Sequence, residues 1–152
     1  MIVGVISDTH GLLRPQALTA LEGADLIVHA GDIGPPDILA RLRMIAPTFA
    51  VRGNVDTSPW GRSLPASEVV EAAGRLLYVV HDRADLDVNP RAGGFAAVIF
   101  GHSHRPEAVE HDGVLFLNPG SAGPRRFSLP ISLAILEVTA GALTWRFVEL
   151  PD

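Results

Sequence analysis

Residues 2–54 read IVGVISDTHGLLRPQALTALEGADLIVHAGDIGPPDILARLRMIAPTFAVRGN, and this stretch decides the fold. Ile2 to Ser7 is a short apolar run, rich in β-branched residues, that stops at a polar cluster. That is the pattern of a buried strand. Pro15 is placed to open a helix at its first position, and Gln16 to Glu22 continues it with good helix formers. Leu26 to Ala30 is a second buried strand, ending at Gly31-Asp32. Pro36 opens a second helix, with Ile38, Leu39, Leu42 and Ile45 at helical spacing, and Pro47 ends it. Phe49 to Arg52 is a third strand, ending at Gly53-Asn54. The order β-α-β-α-β predicts a parallel sheet with right-handed crossovers.

Beyond this stretch, Thr57 to Pro65 reads as a polar loop with two prolines and Trp60. Val69-Val70 belongs to an edge strand, and Arg75 to Val80 is a strand ending at His81. Asp85 to Gly94 is a helix or loop in which Pro90 limits any helix. Ala96 to Phe100 is another buried strand, ending at Gly101-His102. Short strands follow over Ala108 to His111, Val114 to Leu117, Leu133 to Val138 and Leu143 to Leu150, the first two joined by the hairpin signal Asp112-Gly113. There is no internal repeat and no interdomain linker, so residues 1–152 are expected to form one domain. A chain of this length buries roughly 68–70% of its unfolded surface and needs no staple.

Composition removes whole classes of chemistry. All 12 basic residues are Arg, so Schiff-base catalysis and a Lys-bearing phosphate loop are excluded. Cys is absent, which excludes disulfides, thiolate nucleophiles and thiolate metal sites. Any metal must be held by His, Asp, Glu or Asn. The net charge of −5 and pI of about 5.6 argue against a broad footprint for duplex nucleic acid. No apolar run reaches the ~18 residues of a membrane span, and the N-terminus lacks a signal-peptide pattern. The expectation is a cytoplasmic protein with no membrane partner.

Each buried run ends at a residue able to hold a metal or a phosphate: Asp8 and His10, then Asp32, Asn54, His81, and finally His102 and His104. Ligands bind at the carboxyl ends of parallel strands. If the five runs share one sheet, seven side chains converge on one rim. Two carboxylates, four imidazoles and one amide oxygen suit Mn, Fe, Zn or Ni. Seven ligands exceed the four of a usual zinc site, and two adjacent ions sharing one carboxylate would use them all.

The pieces Asp8-Thr9-His10, Gly31-Asp32, Gly53-Asn54-Val55-Asp56, His81 and Gly101-His102-Ser103-His104, in this order, resemble the signature of the calcineurin-like metallophosphoesterases, in particular their small bacterial and archaeal phosphodiesterases. The resemblance runs from the first strand to about Ser121. It implies an α/β fold, a four-layer α-β-β-α sandwich of two mixed sheets flanked by helices. It implies one metal on Asp8, His10, Asp32 and His104, and another on Asp32, Asn54, His81 and His102, with Asp32 bridging. It further implies two divalent metal ions, Mn first, and hydrolysis of a small phosphoester by a bridging hydroxide, with Asp32, Asn54, His102 and His104 as the catalytic set. Such an ion pair clamps the attacking and leaving oxygens and pulls the pKa of bound water from 15.7 toward about 7 to 9.

Two positions depart from the family pattern. Larger phosphatases of the family carry His where this chain has Val55, which favours phosphodiesters or activated esters over phosphomonoesters. Asp82 stands where many relatives have Gly and reads either as a partner of a metal-bound His or as a solvated group. Outside the motif, His29 reads as a core residue or a donor behind the ligands, Asp56 and Asp37 as turn or capping residues, and Arg125-Arg126 as solvated charges. Asn118 to Ser121 is expected to shape backbone near the site, and Trp60 to line either a pocket or an interface between copies. Two other functions compete with the enzyme. One is a binding scaffold, since a eukaryotic retromer subunit resembles this fold with an impaired metal site. The other is a single-strand nuclease, against which the acidic pI argues. Homo-oligomerisation is left open.

Overall fold

The computed structural model describes residues 1–152. Two five-stranded sheets lie face to face. The first contains β1 (Ile2–Ile6), β2 (Leu26–His29), β3 (Thr48–Ala50), β9 (Ser132–Val138) and β10 (Leu143–Glu149), in the order β10-β9-β1-β2-β3. The second contains β4 (Ser67–Ala72), β5 (Arg75–Val80), β6 (Phe95–Ile99), β7 (Glu107–His111) and β8 (Val114–Asn118), in the order β4-β5-β6-β8-β7. Both are mixed. β1, β2 and β3 run parallel, as do β5, β6 and β8, while the outer strands pair antiparallel.

Alternation places the core. Val3 and Val5 of β1, Leu77 and Val79 of β5, Ala97 and Ile99 of β6 and Leu115 and Leu117 of β8 meet between the sheets. Their neighbours in sequence face outward and are buried again. On the first sheet Ile6 and Ile27 lie under α1 (Pro15–Leu21) and α2 (Asp37–Arg43), which contribute Ala17, Leu21, Ile38, Leu39 and Leu42. On the second, Tyr78, Val80, Val98, Phe100 and Phe116 form a smaller cluster against Leu86 and Phe95. Burial on both faces explains why these strands are nearly continuous apolar runs. The outer cover of the second sheet is thin, a 3-10 turn at Arg83–Asp85 with the segment that follows it.

The structure amends the sequence reading at several points. The five runs that end in candidate ligands do not share a sheet: β1, β2 and β3 lie in one, β5 and β6 in the other. Short parallel stretches of two sheets give the same periodicity as one longer sheet, so pattern alone does not separate them. The stretch read as a polar loop contains α3 (Pro59–Ser63), which begins where Ser58 Oγ accepts from the Gly61 amide and Pro59 fixes the first φ. The third strand spans only Thr48–Ala50, and the region 85–94 carries no α-helix. Trp60 is half-buried and packs on the cluster under the first sheet. The Asp112-Gly113 hairpin is present, with φ of 51° and 77° at its two turn residues.

Candidate metal centre

The carboxyl ends of β1, β2 and β3 meet those of β5 and β6 at one rim. Backbone hydrogen bonds lace the loops together. The Asp8 amide donates to Gly31 O at 3.0 Å, the His10 amide to Asp32 O at 2.9 Å, and the Gly101 amide to His81 O at 2.9 Å. The loops approach so closely that a side chain has no room at two glycines. A Cβ on Gly53 would collide with the backbone and carboxylate of Asp32, and one on Gly101 would run into Ser7 and the Asp8 carboxylate.

Asp8 and Asp32 each have one satisfied oxygen and one facing the rim. Asp8 Oδ2 accepts from Ser7 Oγ at 2.7 Å and from the His102 amide at 3.1 Å. Asp8 Oδ1 is buried without a hydrogen-bond partner, 3.4 Å from His104 Nε2 and 3.7 Å from His10 Nε2. Asp32 Oδ1 accepts from the Val55 amide at 3.0 Å. Asp32 Oδ2 lies 3.6 Å from His10 Nε2 and 3.3 Å from His81 Nε2. His10 and His104 bring their Nε2 atoms to 3.3 Å. His81 Nδ1 donates to Ala30 O at 2.7 Å, which leaves Nε2 as the ring's acceptor, buried and without a hydrogen bond. His104 Nδ1 is buried and unpartnered too.

Charge is concentrated there. Burial pushes the Asp8 carboxyl up, but His10, His104 and Ser7 outweigh it and hold it well below the usual carboxylate range. Asp32 is likewise lowered, burial being overcome by His81 and the Val55 amide. The Asp8 carboxylate raises His10. In His81 burial lowers the pKa, but Asp32 and its other anionic neighbours outweigh that and raise it. Facing lone pairs at 3.3–3.7 Å with orphaned buried atoms among them suit a divalent cation better than protons. Two such groups occur, Asp8, His10 and His104, and Asp8, Asp32 and His81.

The rim therefore gathers five of the predicted ligands: Asp8, His10, Asp32, His81 and His104. Asn54 and His102 stand at the edge, lining a cavity of ≈ 470 Å³ together with His81. The His102 ring lies 5.3 Å from that of His81, and its Nε2 lies 3.6 Å from Asp82 Oδ2.

Three residues outside the ligand set brace the rim. Asp56, read as a turn residue, is 5% exposed and accepts from the amides of Ile33 (3.0 Å) and Gly53 (2.8 Å), tying the Asp32 loop to the Asn54 loop. His29 is fully buried. Its Nδ1 accepts from the Gly31 amide at 3.1 Å, its Nε2 lies 3.0 Å from Thr9 Oγ1, and burial pushes its pKa down to about 4. Asn118 donates to Gly101 O and Ser103 Oγ, both at 3.0 Å, and so braces the loop that carries His102 and His104. The Gly-Asn-Val-Asp spacing held a signal for Asp56, since a carboxylate two residues past a ligand can fold back on its own loop. His29 is the core residue that was one of its two readings, and Asn118 lies in the loop expected to shape backbone near the site. Arg125 reaches Asp152 and Leu129 O on the surface.

The family model described as the calcineurin-like phosphoesterase superfamily domain matches residues 1–141. A protein of Methanothermobacter thermautotrophicus named as a probable metallophosphoesterase is 34% identical over 165 residues, covering 98% of this chain and 92% of that protein. Phosphodiesterase YfcE of Escherichia coli K12 is 26% identical over 161 residues, covering 86% of this chain and 84% of that one. The crystal structure of Chaetomium thermophilum Vps29 superposes with a TM-score of 0.85 over 99% of this chain and 88% of that chain at 21% identity, a likeness of fold.

Proposed function

Since the chain belongs to the calcineurin-like phosphoesterase superfamily, we propose that it hydrolyses phosphodiesters with two divalent cations, Mn first among Fe, Zn and Ni. Asp8, His10, Asp32 and His104 would hold one cation, and Asp32, Asn54, His81 and His102 the other. When bound, such a pair supplies a hydroxide near neutral pH and offsets the charge of the phosphate. The observation that carries this reading is Asp8 Oδ1, buried without a partner and facing two imidazole nitrogens.

The chain's own part is positioning. Ser7 and the His102 amide lock Asp8 so that only one oxygen faces the rim. The Val55 amide does the same for Asp32, whose other oxygen faces His10 at 3.6 Å and His81 at 3.3 Å. Ala30 O fixes the His81 tautomer with Nε2 free. Val55, half exposed beside Asn54, offers no proton to a departing alkoxide. This favours diesters with good leaving groups over monoesters.

The test is hydrolysis of bis(p-nitrophenyl) phosphate with Mn, compared with p-nitrophenyl phosphate, repeated for Asp32→Asn and Asn54→Ala. Metal-dependent diester cleavage lost in Asp32→Asn supports the proposal. Activity that ignores metal, or survives both substitutions unchanged, removes it. The likeness to Vps29 supports a second reading, a non-catalytic binding scaffold. A full set of seven ligand-type side chains favours the enzyme, and a protein that takes up no metal at micromolar concentration would favour the scaffold.

A further inference from the structure

The cavity of ≈ 470 Å³ beside the metal centre is larger than a phosphoryl group requires and falls in the range of small-molecule sites. One end is the rim, with Asn54, His81 and His102. His81 is 95% buried, lines this cavity, and keeps Nε2 without a partner. The rest of the lining is acidic: Asp85 and Asp87, from the segment that follows β5, line it, and Asp82 stands at the rim end, its Oδ2 3.6 Å from His102 Nε2.

No arginine neutralises these carboxylates. The only Arg ion pair in the protein joins Arg125 to Asp152. Arg83, their nearest neighbour in sequence, is turned away, its guanidinium lying 4.3 Å from the centroid of the Phe116 ring. Arg52 is the one cation on the lining, and its guanidinium donates to Leu64 O at 2.7 Å. Asp82 accepts from the Ala84 amide at 3.0 Å, and the Tyr78 hydroxyl donates to Asp87 at 3.4 Å. The wall is thus held in place, rich in acceptors, and negative overall.

We propose that this cavity holds one ester group of the phosphodiester and selects one that bears a positive charge, the ester of an ammonium-bearing alcohol. The proposal rests on the phosphoesterase reading for the placement of the phosphoryl group at the rim. An anionic ester group would be repelled by Asp85 and Asp87, and a neutral polyol would gain hydrogen bonds but no Coulomb attraction. A cation whose phosphate is anchored at the rim meets the carboxylates without the cost of a second binding event.

Binding, independent of turnover, tests it. Calorimetry of the Mn-loaded protein compares choline phosphate with 3,3-dimethylbutyl phosphate, which has the same shape and no charge on the alkyl head, and with glycerol phosphate. Choline phosphate is expected to bind roughly fivefold more tightly than the neutral isostere at low salt, because Asp85 and Asp87 are exposed and partly screened. The preference should shrink with added salt. In Asp85→Asn/Asp87→Asn the ratio, measured within that protein, should fall toward one. Equal affinities, no binding of either, tighter binding of glycerol phosphate, or an unchanged ratio in the variant each overturn the proposal. If bis(p-nitrophenyl) phosphate is not hydrolysed while the charge preference holds, the phosphodiesterase reading falls and the cationic subsite stands. Hydrolysis with a ratio of one gives the reverse.

Discussion

Asp56 is predicted to be the brace of the metal centre, and its removal should be felt in both stability and metal affinity. Its carboxylate is buried and accepts two short backbone hydrogen bonds, from Gly53 at 2.8 Å and Ile33 at 3.0 Å, with a longer one from Gly34 at 3.4 Å. A hydrogen bond to an ionised acceptor is worth about 1.5–3 kcal/mol, and a buried amide left unpaired carries its full desolvation cost. Counting only the two short bonds at the low end, Asp56→Ala should cost about 3 kcal/mol. For a domain of this size that is a fall in Tm of about 6–12 °C. Asp56→Asn keeps one acceptor oxygen and turns an NH2 toward the other amide, so it should fall between the two. Because the loops of Asp32 and Asn54 lose their tie, Mn affinity should drop about tenfold or more, as for other residues that orient metal ligands. The assays are urea unfolding of the metal-free protein and calorimetric titration with Mn. An Asp56→Ala protein within about 0.5 kcal/mol of wild type, typical of an ordinary surface substitution, would refute the reasoning.

Three further outcomes follow from the same geometry. Saturating Mn at about a hundred times its dissociation constant should stabilise the protein by about 2.7 kcal/mol, a rise in Tm absent in Asp32→Asn. His10 and His81 have raised pKa values, so their contribution to metal-free stability is fully present below about 6.5 and is lost as pH rises through the folded values. Asp8 and Asp32 are lowered, so theirs is present above about 4 and is lost only in stronger acid. Mn uptake displaces those imidazole protons, and calorimetry in buffers of different ionisation enthalpy should show release that declines from pH 6 to pH 8. His29 works in the opposite sense: held neutral with a pKa of about 4 against 6.5 unfolded, it removes about 3 kcal/mol as pH falls across that interval. A His29 ring resonance that titrates near 6.5 would contradict its burial.

The primary structure disclosed the rim because each apolar run stops at a charged or imidazole residue, and the carboxyl ends of parallel strands must gather somewhere. Periodicity could not tell that Asp8, Asp32 and Asn54 arrive on one sheet and His81 and His102 on another, since strands buried on both faces look alike in either. Asp56 was visible as a residue but not as a brace, because its partners Ile33 and Gly34 lie 23 and 22 residues away in sequence. His29 and Asn118 were placed near the site, but their partners Thr9 and Ser103 lie 20 and 15 residues away in sequence. The short α3 was hidden by Pro59 at its first position and Pro65 just past its end, since proline marks turns as readily as helix starts.

Backbone conformation adds what no pattern revealed. Of the eight non-glycine residues with positive φ, five are proposed ligands: Asp8 (57°), His10 (46°), Asp32 (56°), His102 (73°) and His104 (63°). A left-handed backbone costs a residue with a Cβ about 1–2 kcal/mol, and such strain persists only where the surroundings enforce it. Sharp left-handed turns are what swing these side chains from the strand ends into one small volume, so the fold gives up stability to aim its ligands. His102 allows the cost to be measured, because its side chain is 45% exposed and little packing is lost with it. His102→Ala removes the imidazole and keeps the strain; His102→Gly removes both. In the metal-free protein the Gly variant should exceed the Ala variant by about 1 kcal/mol in urea unfolding, while both lose Mn affinity alike. If Ala proves as stable as Gly, the turn at His102 is not strained, and left-handed backbone is not how this chain directs its ligands.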